Sequence, residues 1–350
     1  MELLGDPIWQ RFWYAVGFSA DLGDAPLSRT VLGQPVVLWR DAKGVPAAAI
    51  DRCPHRDARL SQGWTCEGLI VCPYHGWQYG HDGVAVKVPQ LPELSTYPPR
   101  FALRQVEACE RYGALWVCLG RPARDVPSLP EPAAPGWRFV REFDEEWSAH
   151  PARLMENSFD PAHTVFVHRA TFGDTQRPNV DVPTVELTSY GLVITSTLSV
   201  ANPEFARATT GEDTAFTTRR SETEFHAPFL RVLRSTYPGG IVHQIVTAAT
   251  PVGDDRLRLV QWAVRNDREQ DAPAADVVAF DRRVTWEDRA ILEGIATPYS
   301  YRLSANVHVA VDRPTIEIRR IYRAIEARTW GGLRPEAQVN GERLLEAKSR

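Results

Sequence analysis

No stretch of the chain approaches the ~18 consecutive apolar residues of a membrane-spanning helix, so no span is expected. Basic clusters are missing too. Lys and Arg number 40 against 44 Asp and Glu, a net charge of −4, which argues against nucleic acid or an anionic membrane surface as partner. The opening residues Met1 to Asp6 lack the basic and then apolar regions of a signal peptide. Cysteine is scarce: there are five, an odd number, which suits free thiols in a reducing cytoplasm rather than a disulfide framework. Neither an internal repeat nor a low-complexity tract occurs. What remains, at 350 residues and 43% hydrophobic, is enough for two soluble domains with their own cores.

Two short loops stand out. Arg52-Cys53-Pro54-His55-Arg56 is followed, with sixteen residues between His55 and Cys72, by Cys72-Pro73-Tyr74-His75-Gly76-Trp77. A finger-type zinc site gathers its cysteines in one knuckle and its histidines in another. Here each loop offers one of each. That arrangement suits a [2Fe–2S] cluster in which one iron takes Cys53 and Cys72 and the other takes His55 and His75, the donor set of a Rieske centre. A structural zinc knuckle is the alternative. Neutral imidazoles in place of two thiolates raise the reduction potential to about −150 to +300 mV, which suits one-electron transfer. Pro54 and Pro73 fix φ within the loops. Cys66, Cys109 and Cys118 read as free thiols, and His81, in a turn, as solvated.

Residues 1–120 read as an all-β unit. Val36 to Trp39 and Ala47 to Ile50 flank a turn, Leu69 to Val71 runs into the second loop, and Gly80 to Gly83 marks another hairpin. Prolines at 122, 127, 130, 132 and 135 make residues 121–136 a stiff linker. Residues 137–350 form the second domain. Helical character over Pro151 to Asp160 is followed by alternating segments at Val185 to Val200, Thr214 to His226, Phe229 to Tyr237, Ile241 to Ala249 and Arg256 to Arg265. Their period of two predicts an antiparallel sheet with one wet face. Asp276 to Ala296 and Arg313 to Ala327 return to helical spacing, so the fold class is α+β: a curved antiparallel sheet with helices on one face.

A second candidate site begins at Glu156-Asn157 and runs through Asp160 and His163 to His168. His163 and His168 would point roughly 140° apart on a straight helix. Pro161 supplies the break that would let one metal take both. On the later helix, Val277, Phe280, Val284, Ile291 and Ile295 form an apolar stripe with Asp288 in its gap. A carboxylate there needs a partner or a metal. Asp288 is the candidate third ligand and Glu287 the alternative, with Glu287 and Glu293 otherwise read as solvated. Pairing of Asp288 with Arg282 or Arg289 stays open. Two histidines and one carboxylate leave positions on ferrous iron free for dioxygen.

These motifs, with Trp13 to Val16, Val37 to Arg40 and Glu110 to Gly113, make the chain resemble the Rieske non-haem iron oxygenases, or ring-hydroxylating oxygenase α subunits. It looks most like the branch holding N- and O-demethylases, aminopyrrolnitrin oxygenase and the saxitoxin-pathway hydroxylases. The resemblance implies a Rieske domain followed by a helix-grip, START-like catalytic domain with mononuclear Fe(II). It implies a head-to-tail homotrimer in which Asp160 links a cluster histidine of one subunit to an iron-bound histidine of the next. It further implies O2 as co-substrate, and electrons from NAD(P)H through a flavin/iron–sulfur reductase or a ferredoxin. Monooxygenation of a small organic substrate is the leading expectation. A cis-dihydroxylating dioxygenase is the runner-up, and a non-catalytic electron carrier with a ligand pocket the third. Tyr190, Phe216, Phe225, Gln244, Gln261 and Trp262 are candidate pocket-lining residues.

Overall fold

The computed structural model describes residues 3–131 and 134–333. Pro132, within the proline-rich stretch, and the tail of the second domain from residue 334 lie outside the described residues. Chain contacts divide the protein into one unit of residues 2–126 with 251–254, and another of residues 127–250 and 255–350.

The first unit is built from short strands. Strands β1 (Tyr14–Phe18), β2 (Leu27–Val31), β3 (Gln34–Arg40), β4 (Pro46–Ile50), β9 (Gln105–Arg111) and β10 (Ala114–Cys118) form a sheet in the order β1-β10-β9-β4-β3-β2. Between β4 and β9 the chain makes a smaller sheet, β5 (Trp64–Cys66), β6 (Leu69–Val71), β7 (Gln78–Tyr79) and β8 (Ala85–Lys87), in sequence order. The β3–β4 and β7–β8 hairpins stand where the turn residues place them. Apolar side chains of both sheets bury one core that includes Val37, Trp39, Ile70, Trp77 and Tyr79, and with them the thiols Cys53 and Cys72. Gly63 has no alternative here, because a Cβ would lie 1.9 Å from the Val71 carbonyl oxygen.

The second unit is a seven-stranded antiparallel sheet in the order β11-β17-β16-β15-β14-β13-β12. Its strands are β11 (Arg138–Trp147), β12 (Thr184–Leu187), β13 (Gly191–Ala201), β14 (Phe216–His226), β15 (Leu230–Thr236), β16 (Val242–Gly253) and β17 (Arg256–Arg265). Three features depart from the sequence pattern. The segment Val185 to Val200 is a hairpin, β12 with β13, because Gly191 takes φ 154° and a Cβ there would meet the Phe225 carbonyl oxygen at 2.0 Å. Strand β11 follows the prolines directly and was not foreseen, since its charged residues obscure the alternation. The expected wet face survives in β14, but β16 and β17 are buried along almost their whole length, as inner strands covered on both sides.

Five helices complete this unit among the described residues: α1 (Pro151–Ser158), α2 (His163–Val167), α3 (Arg207–Thr210), α4 (Ala274–Leu292) and α5 (Arg313–Glu326). Pro151 opens α1, where its missing N–H costs nothing. The ring of His150 caps it, accepting from the Ala152 amide at 3.1 Å. Burial pulls the His150 pKa down to about 3, which keeps the ring neutral and able to accept. No helix among the described residues is long and apolar enough to cross a membrane.

Helix α5 holds α1 in place through a buried fork. Arg319 donates from Nε and Nη2 to the two Glu156 oxygens at 2.7 and 2.9 Å, and Tyr299 adds a bond at 2.6 Å. Removing one partner of such a pair strands the other charge in protein. Glu156→Ala should therefore destabilise the chain by about 3–5 kcal/mol in a urea titration, and a loss below about 1 kcal/mol would show that the fork contributes no more than a surface pair.

Candidate metal centres

The first loop lies between β4 and β5, the second between β6 and β7. They share one backbone plan. In each, the cysteine carbonyl accepts from the amide four residues on, Asp57 or Gly76, at 3.0 Å. Those two residues both sit in the left-handed region, at φ 60° and 71°. The cysteine amides donate back across each loop to Ala58 and Trp77 at 2.8 Å. This folding presents Cys53 and Cys72 inward, each 1% exposed, and leaves His55 and His75 half-buried at the outer edge. The imidazoles face one another with Nδ1 atoms 3.1 Å apart. Trp77 stacks on His55 at 4.6 Å, and Gln90 ties the Trp77 indole to the His75 carbonyl. The Tyr79 hydroxyl stands 3.2 Å from Cys53 Sγ. Burial and the neighbouring thiols raise the Tyr79 pKa far above its ordinary value, so the group remains a donor to sulfur. None of the five cysteines is in a disulfide, so Cys66, Cys109 and Cys118 are the free thiols expected.

In the second unit the chain breaks its helix where Pro161 stands, α1 ending at Ser158 and α2 beginning at His163. After the break, His163 Nε2 and His168 Nε2 are 3.2 Å apart, and each lies 3.4 Å from Asp288 Oδ1 of α4. Asp288 Oδ1 is buried and has no hydrogen-bond partner, as a metal-ligating oxygen would be in a metal-free chain. The other ring nitrogens show why the Nε2 atoms are available. His163 Nδ1 bonds the Asp160 carbonyl oxygen, and His168 Nδ1 bonds Glu287 Oε2 at 3.0 Å. Both partners can only accept, so each ring carries its proton on Nδ1 and turns an Nε2 lone pair toward Asp288. Burial alone would lower the His163 pKa and raise that of Asp288; their closeness to one another reverses both shifts. Gly173 closes the turn beyond His168, where a Cβ would lie 2.6 Å from the Thr164 and Val165 carbonyl oxygens.

Several expectations change here. Glu287 is not solvated: it accepts from His168 and, at 2.8 Å, from the Thr171 hydroxyl. Arg282 goes to Glu145 and Arg289 to Glu293, so neither pairs with Asp288. The buried ridge of α4 runs through Val277, Asp281 and Leu292, whereas Ile291 is 52% exposed. The apolar stripe does face inward through Val277, Phe280, Val284 and Asp288 and fails only at its end, where Ile291 and Ile295 are exposed. Of the suggested lining residues only Gln261 borders the cavity beside His163, His168 and Asp288. Gln244 and Trp262 alternate to the far faces of their strands, Phe225 packs on Phe159, Tyr190 stacks on His226, and Phe216 is exposed.

One cluster went unnoticed in the sequence because its members come from three distant elements. Glu142 of β11, His243 of β16 and Asp281 of α4 are all buried, with their donor atoms within 4.8 Å of one another. His243 Nε2 lies 3.0 Å from Asp281 Oδ2, and Gln261 donates to Glu142 at 2.6 Å. Burial and the Asp281 charge hold Glu142 well above the carboxylate range, whereas His243 outweighs burial and keeps Asp281 below it. Of the two acids, Asp281 is therefore the ionised one beside His243 and Glu142 the neutral one.

Because Glu287 orients His168, Glu287→Gln should weaken Fe(II) binding by roughly 10–100-fold. Titration of metal-stripped protein with Fe(II) would measure this, and an unchanged affinity would remove Glu287 from that role.

Residues 12–98 match the family described as Rieske [2Fe-2S] domain, and residues 147–328, just over half of the chain, match the vanillate O-demethylase oxygenase C-terminal domain. Among curated proteins, the chain is 33% identical over 193 residues to protein TIC 55, chloroplastic, of Arabidopsis thaliana, covering 53% of this chain and 35% of that protein. It is 33% identical over 162 residues to the oxygenase component of dicamba O-demethylase from Stenotrophomonas maltophilia, covering 45% and 47%. The chain thus spans less than half the length of these relatives. Among solved structures, NdmA of Pseudomonas putida CBB5 with caffeine superposes with a TM-score of 0.80 over 93% of this chain and 96% of that one, at 22% identity, and so shares its fold. With a [2Fe–2S] domain ahead of a vanillate O-demethylase-type domain, the chain belongs to the Rieske non-haem iron oxygenases.

Proposed function

We propose that the chain is the terminal oxygenase component of a multicomponent system and monooxygenates a small organic molecule, by hydroxylation or oxidative demethylation. The observation that carries this reading is the convergence of His163, His168 and Asp288 on one point at the wall of a cavity. We assign Cys53, His55, Cys72 and His75 to the cluster and His163, His168 and Asp288 to the mononuclear iron. When bound, the cluster supplies single electrons and the iron the oxidising chemistry of dioxygen. The residues of the chain do the rest. Glu287 and the Asp160 carbonyl hold the ring protons on Nδ1. The apolar walls of the cavity, among them Ile194, Leu198, Leu233 and Ile245, limit water around the reacting carbon.

We take residues 1–120 as the Rieske domain, 121–136 as linker and 137–350 as the catalytic domain. Electrons from NAD(P)H would arrive through a flavin/iron–sulfur reductase or ferredoxin, in a reducing compartment such as the cytoplasm, which the free Cys66, Cys109 and Cys118 favour. TIC 55 is described as chloroplastic, also compatible with free thiols. A homotrimer would bring His55 or His75 of one subunit to Asp160 of the next. Asp160 is half-buried, and its side chain spends one oxygen on the Ala162 amide at 2.7 Å.

Labelled dioxygen tests the reading: one labelled atom in the product fits monooxygenation, and two show a cis-dihydroxylating enzyme. Asp288→Ala should keep the cluster absorption and lower iron from about three atoms per chain to about two, with turnover lost, whereas Cys72→Ser should abolish the cluster spectrum. Retained turnover in Asp288→Ala would reject the ligand set. Asp160→Asn should leave both metals bound and slow single-turnover electron transfer measured by stopped flow; an unchanged rate would count against the bridging role.

A further inference from the structure

Beside the cavity of the mononuclear site lies a row of groups whose hydrogen bonds all run in one direction. Arg231 Nη2 donates to the Thr247 hydroxyl at 2.8 Å, and Thr247 donates to Gln261 Oε1 at 2.8 Å. Gln261 Nε2 then donates to Glu142 Oε2 at 2.6 Å. A guanidinium can only donate, so the row starts at Arg231 and ends on an acceptor. Neutral Glu142 accepts on Oε2 and therefore carries its own proton on Oε1. Asp281 lies within hydrogen-bonding reach of Glu142, and His243 Nε2 is 3.0 Å from Asp281 Oδ2. Glu142 Oε1, Asp281 Oδ2 and His243 Nε2 are all buried, and none is spent on a well-directed hydrogen bond. Three such atoms side by side are rare in a folded protein and call for a functional reason.

We propose that Glu142, Asp281 and His243 store a proton and deliver it to dioxygen as it is reduced in the cavity. The proposal rests on the cavity being the oxygenase site and adds the source of a proton that the reaction consumes. Monooxygenation takes up two protons with two reductase-supplied electrons, RH + O2 + 2e− + 2H+ → ROH + H2O. The proton on Glu142 Oε1 moves to Asp281 and on to His243, and His243 releases one to the reduced oxygen. The net change is one O–H bond broken at Glu142 and one formed in the cavity, and water restores the acid between turnovers. His243 and Asp281 both border the cavity, and Glu142 reaches it through them. Asp281 and Asp288 stand seven residues apart on α4, two turns along one face with a rise of about 10 Å between them. The charges acting on the set come from Arg231 of β15, which acts on both acids, and Arg265 of β17, which acts on Asp281. The Tyr237 hydroxyl also faces Asp281. Two cations in reach disfavour a metal dication at this place and stabilise the carboxylate left when Glu142 gives up its proton.

Infrared spectra of the iron-loaded full chain in H2O and D2O at neutral pH test the stored proton without any turnover. A protonated-carboxyl band that shifts in D2O is expected, and Glu142→Gln should remove it while His243→Asn keeps it. Delivery is tested on the iron-loaded chain reduced stoichiometrically with dithionite and mixed with dioxygen in the absence of substrate. Cluster reoxidation is followed by stopped flow, with hydrogen peroxide as the product (O2 + 2e− + 2H+ → H2O2). The unaltered protein should reoxidise more slowly in D2O than in H2O. Glu142→Gln and His243→Asn should each slow reoxidation by roughly tenfold or more with iron content and cluster absorption unchanged, and Glu142→Asp should recover part of the loss. Absence of the carboxyl band, or equal rates in H2O and D2O, overturns the proposal on the unaltered protein alone, whatever the folding of the variants. Wild-type rates in both Glu142→Gln and His243→Asn overturn it as well. Failure of the oxygenase reading registers separately, as missing iron or as reoxidation just as fast in Asp288→Ala.

Discussion

The second unit depends on one oxygen atom. Asp288 Oδ1 sits at 3.4 Å from two imidazole nitrogens that are themselves 3.2 Å apart, with no other partner. A buried carboxylate in that position is tolerable only if charge and lone pairs find an occupant. Much of the surrounding architecture reads as support for this arrangement. The break at Pro161 turns His163 and His168 to one side, the Arg319–Glu156 fork anchors the preceding helix, and Glu287, one residue from Asp288, orients the ring that Asp288 faces.

The same logic separates the polar groups of the cavity into those with an internal partner and those without. Glu142, His243 and Asp281 look like a second metal site by composition, yet a neutral acid beside an ionised one and an imidazole accounts for them as a proton-sharing network. Arg219 and Arg231 border the same cavity, and the carboxyl groups of Asp288, Glu142 and Asp281 lie near enough to act on the Arg231 charge.

How much of this was legible depended on sequence distance. The cluster loops were plain because all four donors fall within 23 consecutive residues and the prolines and left-handed positions that shape each loop are local. His163 and His168 were legible as a pair because Pro161 announces the helix break. Glu287 was misread because periodicity ranks helix faces by apolar content, and the inward face of α4 is where polarity was needed. The lining residues failed for a related reason: a strand pattern shows which residues share a face but not which of the two faces a cavity occupies.

The sequence by itself determined the donor types, their pairing within loops, the α+β class and the antiparallel strands, since these rest on dihedral preferences and short-range spacing. Only the tertiary structure decided that Asp288 faces the histidines while Glu287 braces one of them, and that Arg219 and Arg231 share a cavity with Asp281 and Asp288. The physical reason is that convergence of side chains from β14, β15 and α4 is set by sheet register and helix rotation, and a step of one residue in either sends a side chain to another face.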